Sequence, residues 1–114
     1  MLKKETVRLM TSNQLPDEAM PLSLPGVKLP TRGLGFGLGF SVLLESAGSA
    51  GVAGDYSWAG AASTTFCICP KHDLVIVAMT QFMPFTSKLG DAVKKAVYES
   101  VVDKATGTKT DAEK

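Results

Sequence analysis

Histidine, cysteine and tryptophan are scarce in this chain: one, two and one among 114 residues. With His72 the single histidine, a Ser-His-Asp triad would have to use it. It stands beside Lys71 in a Pro70–Asp73 turn, no G-x-S-x-G elbow is present, and it reads as a solvated turn residue. Two cysteines cannot build a disulfide framework and leave the redox compartment open. Neither sign of charge is in excess. Twelve basic and eleven acidic residues leave +1, so the electrostatic footprint of a nucleic-acid or anionic-membrane partner is missing. No apolar run approaches the ~18 residues a spanning helix requires. The lysines after Met1 precede no apolar signal core, so the chain as written is expected in the cytoplasm, or else its true beginning lies elsewhere.

What is present is an ordinary globular balance, 45% hydrophobic and 20% charged, sized for one small domain. Leu2, Thr6, Leu9 and Met10 recur at helical spacing and predict a short helix over 2–12, with Asn13 as its stop. Pro16, Pro21, Pro25, Gly26 and Pro30 make 13–32 an irregular connector. Residues 33–44 open on strict Gly/apolar alternation, which predicts one strand. Its glycine face implies that another backbone or side chain packs close. Residues 45–55, rich in Ser, Ala and Gly, read as a flexible surface loop. Segments 61–69 and 74–81 are apolar strands joined by the turn Pro70–Asp73, an antiparallel hairpin. Residues 86–103 form the strongest helix pattern, capped by Thr86 or Ser87, with Leu89, Val93, Ala96, Val97 and Val101 as its apolar stripe. The domain is expected over 1–103, followed by a polar tail over 104–114. The fold class is α+β, an antiparallel sheet flanked by N- and C-terminal helices.

Three motifs invite chemistry. Gly33, Gly35, Gly37 and Gly39 give G-x-G-x-G-x-G and miss the G-x-G-x-x-G spacing of a dinucleotide fingerprint. Cys67 and Cys69, with His72 and Asp73 nearby, suggest a metal. C-x-C is a poor match to the usual C-x₂₋₄-C pair, so buried cysteines acting as small hydrophobes are expected, with no metal and no cofactor. An i,i+2 disulfide is disfavoured by geometry. Met10, Met20, Met79 and Met83 read as core filler.

Segment 56–81 carries a further pattern: Trp58-Ala-Gly-Ala-Ala-Ser-Thr-Thr-Phe-Cys-Ile-Cys-Pro70, then an apolar strand ending in Met79-Thr-Gln81. It resembles the last part of the serine β-lactamase-like superfamily, in its class C β-lactamase and family VIII esterase branch. Those proteins carry W-G-G-A-x-x-T-x-F-x-x-D-P and then a strand ending in M-T-Q. The opening helix and the glycine-alternating segment are similar to the same C-terminal portion, so the resemblance runs from residue 1 to about 103.

The resemblance implies acyl transfer on an ester, amide or β-lactam. The family's nucleophile is the Ser of S-x-x-K, assisted by the Tyr of Y-x-N, with K-T-G or W-x-G as a third element on the neighbouring strand. Trp58, Ala59 and Gly60 match the third element, and Ala61 or Ala62 would lie near the oxyanion-binding backbone. The first two motifs are absent. No serine has a lysine three positions on, and neither Tyr56 nor Tyr98 begins Y-x-N. Ser57, Ser63, Thr64 and Thr65 flank the matched strand without an identifiable base, so no catalytic residue is expected here. Ala59 replaces the central glycine of W-G-G, and Cys69 replaces the acid before the proline. The chain is therefore expected to be inactive alone. Its substrate-binding residues would be Trp58, Ala59, Gly60, Ala61 and Ala62, and it would be completed by an N-terminal part. Strand 74–81 would expose an unpaired edge suited to self-association. The alternative is a small non-catalytic binding module that uses this edge or the glycine strand.

Overall fold

The computed structural model describes residues 1–20 and 33–102. The connector prolines Pro21, Pro25 and Pro30 and the tail over 104–114 lie outside the described residues. The elements are helix α1 (Lys4–Met10), strands β1 (Leu34–Phe36), β2 (Ser41–Leu43), β3 (Tyr56–Ala59), β4 (Thr65–Cys69) and β5 (Leu74–Ala78), and helix α2 (Lys88–Val97). The strands form one antiparallel sheet in the order β1-β2-β3-β4-β5. The α+β class expected from the sequence is the one found.

The 33–44 segment is not one strand. Gly37 N–H donates to the Phe40 carbonyl at 2.8 Å, and Gly39 turns at φ +105°, so the alternating run folds back as the β1–β2 hairpin. Alternation persists through the turn because glycine fits strand and bend alike. The close approach implied by the glycines is real. Asn13 Oδ1 accepts from Phe36 N–H at 3.0 Å, and the Met10 carbonyl accepts from Leu38 N–H at 3.0 Å. A β-carbon on Gly35 would overlap the Asn13 side chain, and one on Gly37 would fall on the Met10 carbonyl oxygen. These contacts tie α1, which buries no residue of its own, to the hairpin.

β4 and β5 form the expected antiparallel hairpin, paired from Thr65↔Ala78 to Cys69↔Leu74, but each is shorter than the apolar run that predicts it: 61–64 form the turn before β4, and 79–81 lie past the end of β5. Their connection is a 3₁₀ turn (Pro70–His72) closed by Asp73 in the left-handed region at φ +49°. Strand alternation sends Thr65, Cys67, Cys69, Ile76 and Ala78 to one face, and α2 covers that face. The helix seats only part of its apolar stripe. Val93 and Val97 pack against the sheet as expected, whereas Leu89 and Val101 are about half exposed and Ala96 is exposed. Gly90 and Tyr98 complete the inward face. Gly90 permits this, since a β-carbon there would stand 2.6 Å from Thr65 Oγ1 on β4. Ser87 occupies the N-cap position without a side-chain cap bond, while Thr86 Oγ1 accepts from Lys88 N–H at 3.4 Å. Beyond Val97 the helix widens into a π-helical turn (Tyr98–Val102).

The opposite face of β3–β5 carries Tyr56, Trp58, Phe66, Ile68, Val75 and Val77. Val75, Val77 and Met79 are 65%, 57% and 77% exposed, so this face and the outer edge of β5 lack a cover among the described residues. Met79 and Met83 are therefore surface residues, not core filler. No helix of the described residues is long and apolar enough to cross a membrane.

Candidate functional site

The open face of the sheet holds a shallow cavity of about 290 Å³. Its walls are Trp58, Ala59 and Gly60 from the end of β3, Thr64, Thr65 and Phe66 from the start of β4, and Val77 and Met79 from β5. The Trp58 indole is held from one side by Phe36, edge-to-face at 5.0 Å. Phe40 stacks against both Tyr56 (5.3 Å) and Phe66 (6.1 Å), completing an aromatic row along this face. The lining is almost wholly apolar. It offers shape to an apolar group, and no side chain in it is an evident acid, base or metal ligand.

Of the five residues singled out from the sequence, Trp58, Ala59 and Gly60 line the cavity together. Ala61 and Ala62 lie beyond it, in the β3–β4 connection. Ala61 is exposed, and the Ala62 carbonyl accepts from Phe82 N–H at 3.1 Å and Thr80 Oγ1 at 3.3 Å.

Ser63 fixes that connection. It is 1% exposed and holds φ +62°; its hydroxyl donates to the Phe82 carbonyl (2.9 Å) and accepts from Thr86 N–H (3.0 Å). A hydroxyl engaged both ways and closed to solvent is a structural bolt, not a nucleophile. Ser57 Oγ, on the helix side of β3, lies 3.1 Å from Ser41 Oγ and is likewise turned from the cavity.

A second group of polar side chains lies under α2. Asp55, expected in a flexible loop, is 2% exposed. Its Oδ2 accepts from the Tyr98 hydroxyl and from Val52 N–H (3.2 Å), and Lys94 Nζ lies 3.6 Å away. Tyr98, 1% exposed, also brings its hydroxyl to 3.1 Å from Cys69 Sγ, and Cys67 Sγ is 3.8 Å from Cys69 Sγ. Burial pushes the Cys67 thiol up to about 12, partly offset by the Lys94 charge. Burial first, and then the bond to Asp55, raise the Tyr98 hydroxyl well above the usual phenol range.

His72 is not the solvated residue its turn suggests. It is half-buried, its ring meets Tyr98 edge-to-face at 6.1 Å, and its Nε2 is buried without a partner among the described residues. The cysteines are buried, as expected, and do not group with His72 and Asp73; Asp73 is exposed, and the carboxylate beside the thiols is that of Asp55. No local signal marks Asp55, because its partners are distant in the chain.

No protein-family model and no curated protein matches the sequence. Among solved structures the chain is similar to unliganded simvastatin synthase from Aspergillus terreus, with a TM-score of 0.68 and 21% identity over 96% of this chain and 30% of that one. A mutant of the same synthase aligns with a TM-score of 0.68 and 25% identity, over 86% of this chain and 29% of that one. The chain thus spans about a third of the length of the structures it matches.

Proposed function

The chain carries part of the serine β-lactamase-like fold, and we propose that it is the sheet portion of a serine acyl-transfer hydrolase whose nucleophile lies outside these 114 residues. The supporting observation is the placement of Trp58, Ala59 and Gly60 at the end of β3, lining an open apolar cavity on the uncovered face of the sheet. In this reading Trp58 and Phe66 hold the acyl or alkyl part of an ester, amide or β-lactam. The backbone beyond β3, around Ala61 and Ala62, supplies an N–H to the developing oxyanion. A separate segment bearing S-x-x-K and Y-x-N covers the apolar face, pairs with the free edge of β5, and delivers the serine. In this reading no serine among the described residues has an activating base, and the chain without that segment is inactive.

The test is complementation. The chain is produced alone and together with the polypeptide encoded upstream of Met1, and hydrolysis of a short nitrophenyl ester is followed. Activity only in the pair, with KM raised by Trp58→Ala, supports the reading. Ester hydrolysis by the chain alone, or none in a pair that demonstrably associates, contradicts it.

The exposed residues Val75, Val77 and Met79 favour a second reading, a non-catalytic module that binds a partner strand or pairs with its own copy at β5. That reading predicts a folded, self-associating chain and no complementation. Light scattering that shows a monodisperse monomer removes the self-association version.

A further inference from the structure

We infer that Asp55, Cys67 and Cys69 form a binding site for one thiophilic divalent cation of the zinc type. The carboxylate and the two thiols present ligand atoms within 4.8 Å of one another, and all three residues are buried. The sulfurs are 3.8 Å apart. A tetrahedral ion with metal–sulfur bonds near 2.3 Å separates its sulfurs by about 3.8 Å, so the pair needs no rearrangement to span one edge of the coordination shell. The C-x-C spacing, poor for a knuckle, works here because both side chains project from the same face of β4.

The surroundings point to an ion rather than to passive burial. Asp55 Oδ1 is buried and has no hydrogen-bond partner among the described residues, so one oxygen of the carboxylate is left without a ligand of its own inside the protein. The Tyr98 hydroxyl bonds Asp55 Oδ2 and lies 3.1 Å from Cys69 Sγ, so it bridges two of the three ligand residues and orients them. Charge also balances. Two thiolates and a carboxylate around a divalent ion leave one negative charge, and Lys94, 3.6 Å from Asp55 Oδ2, supplies the positive one. In binding, two S–H bonds break, two metal–sulfur bonds form, and both protons pass to solvent, with no change of oxidation state. The site lies under α2, across the sheet from the Trp58 cavity, so it is independent of the acyl-transfer reading.

The experiment uses the unmodified chain, reduced and stripped with chelator, then titrated with Co²⁺ and in competition with Zn²⁺. One Co²⁺ per chain is expected, with a thiolate-to-cobalt charge-transfer band in the near ultraviolet that Zn²⁺ abolishes. Apparent affinity should rise by up to about a hundredfold per pH unit, the signature of two released protons. His72→Ala should titrate as the unmodified chain does. No binding, binding without the charge-transfer band, or a site lost with His72 would each overturn the assignment.

Discussion

The Tyr98 hydroxyl, at the end of α2, donates a hydrogen bond to Asp55 Oδ2, 43 residues earlier in the chain, and both residues are at most 2% exposed. This bond clamps the helix to the loop that feeds β3, and so fixes the strand that carries Trp58, Ala59 and Gly60. Tyr98→Phe keeps the ring and removes the bond, leaving a buried carboxylate with less support. A loss of about 2 kcal/mol in denaturant-derived stability is expected, against about 4 kcal/mol for Tyr98→Ala, which also empties the ring's volume. Equal losses for the two variants would mean that the hydroxyl contributes nothing.

Alkaline pH should loosen the same region. The Cys67 thiol is raised by burial to about 12, whereas an exposed cysteine loses its proton near pH 8.5. An acid whose folded pKa is raised contributes stability in full below its unfolded value and loses it as pH climbs towards the folded one. Between about pH 9 and 12 the unfolded chain sheds a proton that the folded chain keeps, so Cys67 costs stability at up to about 1.4 kcal/mol per pH unit. Tyr98 adds to the slope above about pH 10, the ordinary phenol value. Urea melts of metal-free chain at stepped pH check this, and Cys67→Ala should flatten the first part of the decline.

Ser63→Ala removes the bolt between the β3–β4 connection and segment 82–86. It leaves the Phe82 carbonyl and Thr86 N–H without their partner, for an expected loss of about 2 kcal/mol. In a complemented pair the remaining folded protein should still form an acyl-enzyme, which separates this role from that of a nucleophile. Abolition of acylation in a folded Ser63→Ala pair would reverse the assignment.

Gly37→Ala should act locally. The new methyl would meet the Met10 carbonyl oxygen, so α1 must leave the hairpin while the β3–β5 sheet remains. Hydrogen exchange should show lost protection at Leu38 and along α1, with β4 and β5 unchanged. Uniform loss across the sheet would contradict this view of α1 as an appended element.

The parts legible in the sequence were those governed by local pattern. β4 and β5 are apolar runs broken by Pro70 and Asp73, and the glycines before Ser41 announce a close-packed neighbour, which is the Asn13 side chain at Gly35 and the Met10 carbonyl at Gly37. The bend inside residues 33–44 was hidden because Gly/apolar alternation looks the same in a strand and in a glycine hairpin. The inward face of α2 is legible at Val93 and Val97 but not at its ends, because hydrophobicity favours Leu89 and Val101, whereas the fit against Thr65 is decided by the absence of a side chain at Gly90. The buried group at Asp55 could not be read at all. A lone Asp after Gly54 resembles any turn residue until Lys94 and Tyr98 are folded onto it. At the cavity, Trp58, Ala59 and Gly60 were grouped by the third-element motif, while Phe66, Val77 and Met79 joined them only through strand register.

Under the proposed function this chain shapes an acyl-transfer site whose serine is supplied by another segment. The most direct measurement is to treat the complemented pair with a fluorophosphonate and locate the adduct by peptide mass spectrometry. One adduct is expected, on the serine of the S-x-x-K segment, and none on Ser57, Ser63 or any other residue of these 114. An adduct on this chain, or an associated pair that takes no label, would contradict it.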